Sequence, residues 1–382
     1  MALRSVDLVA AGPPSTDPYD PAAAAWALAG AFVARGSATR VLHPGSADPG
    51  LVPPRVTSVP LELPLRHPGA AVEPAELAAA AGRRLRAGVE LVVRDPSGLG
   101  RLGVARKPNG PPTIAGVVRE FELSEFDRER SGRAPVGFVD RFDTWRDRRS
   151  VRRLERLALV EADRLFYGEA ELARSLVKEY GVPERRLLVA PSAVLVPAEV
   201  PKRDAARAHL KLPLDVPVVV APAATDRPAP AGVDRAREAF RRVRSLFAGA
   251  RLVVVGAPAP TEPGVQSVPE RDLGSFAGAF AAADVALFAG RSGGFDPGVA
   301  IAQALGCPTI VFPGAAFPAP PGASVREVPS NDPGDAASVL AELLADPALC
   351  RELATAGRAY GAQFAPERVA GLIESGASRR AG

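Results

Sequence analysis

Cysteine is scarce in this sequence: its 382 residues include 2 cysteines, Cys307 and Cys350. They form no Cys-x-x-Cys pair, and they are too few for the disulfide framework typical of small secreted domains. Both lie among apolar residues, as expected for small buried side chains. We therefore predict reduced thiols and a cytoplasmic location.

Histidine is also rare, and no motif of metal ligands surrounds any of the 3 histidines, His43, His67 and His209. Carboxylates do not cluster at metal-binding spacings either. The sequence therefore predicts no metal site and no cofactor. His43 follows a predicted strand, in Leu-His-Pro-Gly, and we interpret it as a turn residue.

An uninterrupted hydrophobic run is also missing. Residues 297–325 carry no charge and would be long enough to cross a bilayer. Prolines interrupt this segment at Pro308, Pro313, Pro318, Pro320 and Pro321. Residues 1–11 lack the apolar core and the cleavage site of a secretion signal. We predict no transmembrane segment and no secretion.

Positive charge is carried almost entirely by arginine. Lys and Arg number 47, Asp and Glu 43, and the net charge of +4 is small for this length. The densest basic run, residues 146–156, includes apolar residues at helical spacing, which is typical of a solvated helix face. No nucleic-acid partner is predicted.

Length and composition favour two folded domains. The chain exceeds what one hydrophobic core usually serves, at roughly 150 residues per domain. Its hydrophobic fraction of 47% and charged fraction of 24% are those of a globular protein. The 40 prolines and 36 glycines have no regular period, so they predict turns rather than a fibrous repeat.

The second half of the sequence alternates short β-branched runs with segments of helical period, which predicts a parallel sheet with crossover helices. Strands are predicted at residues 216–221, 251–256, 285–288 and 309–312, and helices at 233–247, 273–283, 298–305 and 366–375. Asp332-Pro333 and Asp346-Pro347 each place an N-cap residue before a first-turn proline, which predicts two more helices.

The first half follows the same alternation. Strands are predicted at residues 6–11, 39–42, 89–93, 113–118, 164–167 and 187–190, and helices at 22–35, 75–86 and 170–180, with a charged helix ending at 161. Both halves therefore indicate doubly wound sheets. Residues 191–201 contain two prolines and are the predicted linker, so the expected domains are residues 1–190 and 191–382.

Several segments occur in an order and spacing that resemble a known family. They are LER to EAD at 154–163, LVKEYGVP at 176–183, RLLVAPS at 186–192, AHLKLP at 208–213, RLVVVG at 251–256, AADV at 282–285 and AQALGCP at 302–308. Over nearly its whole length the chain resembles the family-4 retaining glycosyltransferases.

The resemblance implies an α/β protein of GT-B fold. Two Rossmann-like doubly wound domains would face each other across a cleft, the N-terminal one on the acceptor side and the C-terminal one on the nucleotide-sugar side. The last helix would pack back on the N-terminal domain.

The residues that carry this family's chemistry are largely replaced. The family has a Glu-x7-Glu motif just before Ala-Leu-Gly-x-Pro, and here Gly293 and Ile301 stand at the two glutamate positions. An Arg and a Lys that neutralise the donor diphosphate correspond to Ala224 and Ala231. The resemblance therefore supports the fold more strongly than the reaction.

Other residues remain candidates for donor binding. A bidentate arginine suits a diphosphate, and Arg227 is the nearest basic residue to the replaced pair, although an exposed loop arginine is the alternative interpretation. The loop at 291–294 leads into a helix whose unpaired N–H groups suit an anion. The predicted donor-binding residues are Arg227, Gly256, Arg291, Ser292, Gly293, Gly294 and Phe295.

The same helix start has a competing interpretation. Asp296 precedes Pro297, so its carboxylate is expected to cap the helix. An internal cap and a bound diphosphate would compete for the same N–H groups, and capping is the favoured interpretation.

Candidate catalytic residues lie at the end of the strand predicted at 113–118. Arg119 and Glu120 follow it, where the family's N-terminal domain commonly has a histidine, and they would face the cleft at the carboxyl edge of an open sheet. They are the catalytic candidates, for acid–base or charge-stabilising work. A solvated pair at a strand end is the alternative.

Two functions remain open. The resemblance implies transfer of a sugar, with retention, from a nucleotide-diphosphate donor to an unknown acceptor. The joint loss of the Glu, Glu, Arg and Lys equivalents favours the alternative, a catalytically inactive GT-B protein that binds or regulates a partner, such as an active glycosyltransferase or a second copy of itself. An epimerase on this fold would need an acid–base carboxylate cluster that the sequence does not show.

Overall fold

The fold comes from a computed structural model of the chain. It describes residues 3–62, 80–85, 89–94, 113–118, 149, 152–153, 155–156, 159–160, 162–197, 199–223, 230–258, 261–289, 295–313 and 324–378. Arg119, Glu120, Arg227 and residues 291–294 lie outside the described residues, so their predicted roles remain predictions.

The chain divides into two compact units. The first comprises Met1–Ser15, Asp20–Ala193 and Pro366–Gly382, and the second comprises Thr16–Tyr19 and Val194–Ala365. Each unit has its own parallel sheet flanked by helices, so the predicted α/β class with two Rossmann-like units is confirmed.

The first sheet has seven strands in the order β3-β2-β1-β4-β5-β6-β7. They are β1 (Ser5–Val9), β2 (Ala38–Pro44), β3 (Thr57–Leu61), β4 (Leu91–Arg94), β5 (Thr113–Val118), β6 (Arg164–Tyr167) and β7 (Leu187–Val189). All pair in parallel, with β1 between β2 and β4.

The second sheet has six parallel strands in the order β10-β9-β8-β11-β12-β13. They are β8 (Val218–Pro222), β9 (Arg251–Val255), β10 (Val265–Val268), β11 (Val285–Phe288), β12 (Thr309–Val311) and β13 (Arg326–Glu327). This is the doubly wound order 3-2-1-4-5-6.

The helices whose bounds the structure describes connect these strands or follow the last of them. They are α1 (Pro21–Ala34), α2 (Ala170–Lys178), α3 (Arg203–His209), α4 (Pro230–Leu246), α5 (Leu273–Ala282), α6 (Pro297–Ala304), α7 (Pro333–Ala345), α8 (Pro347–Gly361) and α9 (Pro366–Ser378). Within the described ranges, no helix combines the length and apolar character that a bilayer crossing requires.

The second sheet is covered on both faces, because alternate residues of each strand enter different cores. Val218 and Val220 of β8 pack in a core with Phe276 of α5. Val219 packs in the opposite core with Phe240 of α4. A strand buried on both faces is a continuous hydrophobic run in sequence, as predicted for this half.

Aspartate caps begin several helices and fix where each one starts. Asp332 accepts a hydrogen bond from Gly334 N, and Asp346 accepts from Ala348 N and Leu349 N, each with proline at the first helical position. Both predicted caps are therefore confirmed.

One local prediction was wrong. His43 is not a turn residue, because β2 continues to Pro44 and pairs with β3 through Pro44 and Leu61. Its side chain is fully buried, with Nδ1 3.0 Å from Pro44 O and Nε2 2.8 Å from Ser58 Oγ.

Candidate functional site

In the second sheet β8 and β11 are adjacent strands. The strands that follow β8 in sequence lie on one side of this pair and those that follow β11 lie on the other, so the strand order reverses between them. In open α/β sheets, ligands bind beyond the carboxyl ends of the strands at such a switch point. In sequence, Arg227 follows β8 and residues 291–294 follow β11, outside the described residues. Gly256, Phe295 and the start of α6 are described, and they define the candidate site.

Gly256 directly follows β9 and has a left-handed backbone, with φ of +86°. Its N–H donates to Val268 O at 2.8 Å. A Cβ at this position would lie 2.8 Å from Cζ of Phe276 on α5, so the position needs glycine. Gly256 therefore leaves no side chain at the carboxyl end of β9, and its predicted donor-binding role remains a prediction.

A segment from the loop between β1 and α1 packs at the same edge. Residues 16–19 belong to the second unit, although their sequence neighbours belong to the first. Leu273 N, at the start of α5, donates to Thr16 O at 2.8 Å. The ring of Tyr19 lies 5.4 Å from that of Phe276, between centroids, at an interplanar angle of 55°.

Arg271 links this segment to the end of β9. Its Nε donates to Asp17 Oδ2 at 2.9 Å, and its Nη1 donates to Gly256 O at 3.2 Å. The guanidinium carbon lies 5.6 Å from the centroid of the Tyr19 ring, within cation–π range. Its Nη2 is buried and has no hydrogen-bond partner among the described residues.

The N-terminus of α6 is capped from within. Asp296 is 6% exposed, and its Oδ1 accepts from Gly298 N at 2.9 Å and from Val299 N at 3.4 Å. The predicted capping role of Asp296 is confirmed. The two N–H groups that would face an anion at this helix start are therefore directed at an internal carboxylate.

Tyr19 covers the same helix start. Its hydroxyl lies against the bare Cα of Gly298, so closely that any Cβ there would overlap the hydroxyl oxygen. The hydroxyl is buried beside the carboxylate of Asp296. Burial, followed by the negative charge of Asp296, raises the pKa of Tyr19 well above its usual value, so the hydroxyl keeps its proton.

Phe295 is half-buried just before the cap. Its ring centroid lies 5.2 Å from that of Phe364, and Phe364 in turn lies 5.5 Å from Tyr360. Packing accounts for these contacts, and the predicted donor-binding role of Phe295 remains a prediction. The described residues include no group of three His, Cys, Asp or Glu arranged to hold a metal ion.

The first unit has a shallow, open surface depression of about 790 Å³ beside its edge strand β3. Prolines line much of it, together with polar side chains such as Arg55 and Ser58. Arg55 has a φ of +64°, which is unusual for a residue other than glycine.

Sequence reasoning missed Asp17, Tyr19 and Arg271. Nothing in their local sequence predicts their pairing, because the loop after β1 and the turn before α5 are far apart in the chain. The sequence contained one indication of this contact. Gly298 lies in the first turn of a helix, where glycine lowers stability relative to alanine. A glycine at such a position indicates that another group approaches the backbone closely.

Comparison with known proteins gives matches in structure and none in sequence. No protein-family model matches the chain, and no curated protein is similar to it in sequence. Sucrose-phosphate synthase from Thermosynechococcus elongatus matches with a TM-score of 0.73 at 18% identity, covering 97% of this chain and 98% of that one.

Two more solved structures match over nearly the full length. WaaG, a glycosyltransferase involved in lipopolysaccharide biosynthesis, has a TM-score of 0.66 at 17% identity, covering 96% of this chain and 99% of WaaG. Anabaena Alr3699/HepE in complex with UDP has a TM-score of 0.63 at 11% identity, covering 98% of this chain and 99% of HepE. The chain therefore has the GT-B fold of these proteins, as predicted, and at such identities the likeness defines the fold alone.

Proposed function

We propose that the chain is a glycosyltransferase-like protein that binds a nucleotide-diphosphate sugar at the carboxyl edge of its second sheet. The observation that carries this proposal is the switch point between β8 and β11, with the side-chain-free Gly256 at the carboxyl end of the neighbouring strand β9. Doubly wound sheets bind nucleotides at this place, beyond the carboxyl ends of the strands at the switch point. The binding of UDP by HepE, which has the same fold, supports the choice of ligand class.

The finer assignment follows the family-4 resemblance. Arg227 and residues 291–294 would neutralise and hold the diphosphate, since in sequence they follow β8 and β11, the central strands of this sheet. Arg119 and Glu120, which follow β5, would assist transfer with retention. The acceptor would bind to the first unit, which the resemblance places on the acceptor side.

A second candidate function is a GT-B protein that binds without catalysing. The observation that favours it is the filled start of α6, where Asp296 accepts the N–H groups that a donor phosphate would need. Gly293 and Ile301 stand at the positions of the two glutamates of the family motif, which also favours a protein without catalytic activity. Such a protein would act through a protein partner, for example an active glycosyltransferase.

The first experiment is thermal unfolding of the purified protein with a panel of nucleoside diphosphates and their sugars. A ligand at ~100 times its dissociation constant adds roughly 2.7 kcal/mol to the stability of the folded state. We expect a shift with one base that Arg227→Ala or Gly294→Asp abolishes. Arg326→Ala is the matched control, because this arginine pairs with the exposed Glu342 in the second unit.

The outcomes separate the two functions. A base-specific shift, together with release of nucleoside diphosphate from the sugar donor, supports the transferase. A shift without turnover in the presence of acceptor extracts supports the non-catalytic alternative. No shift at millimolar nucleotide contradicts nucleotide binding and turns the search to protein partners.

A further inference from the structure

His43 and Ser58 form a hydrogen-bonded pair on one face of the first sheet. In the register of β2 and β3, Ser58 lies opposite Val41, and His43 is two residues beyond Val41 in β2. Residues two apart in a strand point to the same face, so the imidazole and the hydroxyl meet. The distance from His43 Nε2 to Ser58 Oγ is 2.8 Å.

The other contacts of His43 define which ring nitrogen carries the proton. Nδ1 lies 3.0 Å from Pro44 O, and a carbonyl oxygen only accepts, so Nδ1 is the donor. Nε2 of the neutral ring is then the acceptor of the Ser58 hydroxyl proton. Burial lowers the pKa of His43, which favours this neutral form. The ring of Trp26 packs edge-on against the imidazole, 5.2 Å away between centroids, and fixes its orientation.

Ser58 is the accessible member of the pair. His43 is fully buried, whereas Ser58 is half-buried and lines the depression beside β3. The exposed Arg55 lines the same depression and adds positive charge to it. A molecule that enters the depression therefore meets the serine, with the imidazole beneath it.

We propose that Ser58 is a nucleophile that takes an acyl group from small carboxylic esters, with His43 as its general base. Serine is activated for covalent catalysis when an imidazole accepts its proton and a third group orients that imidazole. Here the Pro44 carbonyl has the orienting role. This activity belongs to the first unit and does not depend on nucleotide binding by the second.

The reaction has two steps. In the first, Ser58 Oγ attacks the carbonyl carbon of the ester and His43 Nε2 takes the hydroxyl proton. The bond from that carbon to the alcohol oxygen breaks, and the alcohol leaves with the proton. In the second, a water molecule gives a proton to Nε2 while its oxygen attacks the acyl carbon. The carboxylic acid is released and the proton returns to Ser58, so ester and water become acid and alcohol.

The shape of the depression limits the substrate class. Sites that bind drug-sized ligands tightly enclose most of the ligand surface. An open depression encloses little, so the substrates are small esters with good leaving groups, and their KM is high.

The first test is covalent labelling with diisopropyl fluorophosphate. A nucleophilic serine oxygen bonds to its phosphorus, and fluoride and the serine proton leave as hydrogen fluoride. Peptide mass spectrometry locates the adduct, which we expect on Ser58 and not on Ser46, which lines the same depression. His43→Gln should slow the labelling of Ser58 at least ~100-fold, because general-base catalysis contributes typically ~100–10,000-fold.

The second test is hydrolysis of p-nitrophenyl acetate. We expect Ser58→Ala and His43→Gln to lower the rate to the same residual value. Ser245→Ala is the matched control and should match the wild type, since this hydroxyl donates to the Arg242 carbonyl, at 2.7 Å, and not to an imidazole. Urea unfolding checks the fold of each variant, and Ser58→Ala, a small change at a half-buried position, keeps the test decisive if His43→Gln does not fold.

The outcomes decide the proposal. An adduct on Ser58 that requires His43, together with ester turnover that both variants lose, supports it. An adduct that forms equally fast in a folded His43→Gln protein overturns the general-base role. Absence of an adduct on Ser58 in the folded wild type shows a structural hydrogen bond alone and overturns the proposal. An adduct without ester turnover contradicts the acyl-transfer activity.

Discussion

The hydroxyl oxygen of Tyr19 occupies the space into which any side chain at Gly298 would extend. Gly298→Ala should therefore force the tyrosine off the helix start. Because small-to-large changes in packed sites cost about 1–3 kcal/mol, we expect a loss of that order in the free energy of unfolding. Chemical denaturation with urea measures it.

The double variant Tyr19→Phe/Gly298→Ala distinguishes this contact from a general intolerance of alanine. Phenylalanine lacks the oxygen that the alanine methyl would meet first, so part of the lost stability should return. Strict additivity of the two single changes would contradict a direct contact between residues 19 and 298.

Arg207 and Asp284 should be a main source of stability in the second unit. Arg207 is fully buried, and its guanidinium donates to Asp284 Oδ2 at 2.8 Å and to four backbone carbonyls, those of Ala282, Pro213, Leu214 and Val216. Arg207→Met would leave these acceptors unsatisfied. We expect a loss of about 3 kcal/mol or more, measured by urea unfolding.

Arg203→Met is the matched control for Arg207→Met. Arg203 also pairs with Asp284, but its side chain is 50% exposed. Ion pairs of that kind contribute about 0–1 kcal/mol. Equal losses in the two variants would contradict the importance of burial at residue 207.

His43 should make the stability of the protein depend on pH. Burial lowers the pKa of His43 in the folded state, so the unfolded chain takes up its proton more readily. The histidine's contribution is then complete above the unfolded pKa of about 6.5 and is lost as pH falls from there toward the folded pKa. The loss approaches at most ~1.4 kcal/mol per pH unit.

Comparison with His43→Gln isolates this contribution. Between roughly pH 7 and pH 5, the stability of the wild type should fall relative to that of the variant, as measured by urea midpoints. Above pH 7, the two plots of stability against pH should be parallel. Parallel profiles through the whole range would show that His43 has the same pKa in both states.

The two cysteines should be slow to react in the folded protein. Burial raises the pKa of the Cys307 thiol, and it also raises that of Cys350. Because the thiolate is the reactive form, we expect Ellman's reagent at pH 8 to label both thiols slowly before unfolding and rapidly in denaturant. Rapid labelling of one thiol in the native protein would show that its side chain is accessible.

The central strands of the second sheet were predictable because burial on both faces requires continuous hydrophobic runs. The strands that the sequence did not predict are edge strands. Val265–Val268 contains Gln and Ser, and Arg326–Glu327 consists of two charged residues. Thr57–Leu61 contains a proline, which is tolerated in an edge strand. An edge strand is held mainly by backbone hydrogen bonds, so its side chains carry little signal.

The part of the candidate site that depends on residues adjacent in sequence was predictable. Asp296 was recognisable as a cap because the following proline and the helix start are adjacent in sequence. The contact of Tyr19 with Gly298 joins residues from opposite halves of the chain, and no periodicity or spacing records such a contact. The sequence located the edge of the sheet but did not identify which side chains cover it.

The path of the chain has a consequence for synthesis. Nearly all of the second unit is continuous from Val194 to Ala365, whereas the first unit is completed only by Pro366–Gly382. Val369, Ala370 and Ile373 of α9 are fully buried in the same core as Trp26 and Phe32 of α1. During synthesis on the ribosome, the hydrophobic surface of the first unit that α9 covers therefore stays exposed until Pro366–Gly382 emerge. The second unit, which is nearly all made before that point, can complete its folding first.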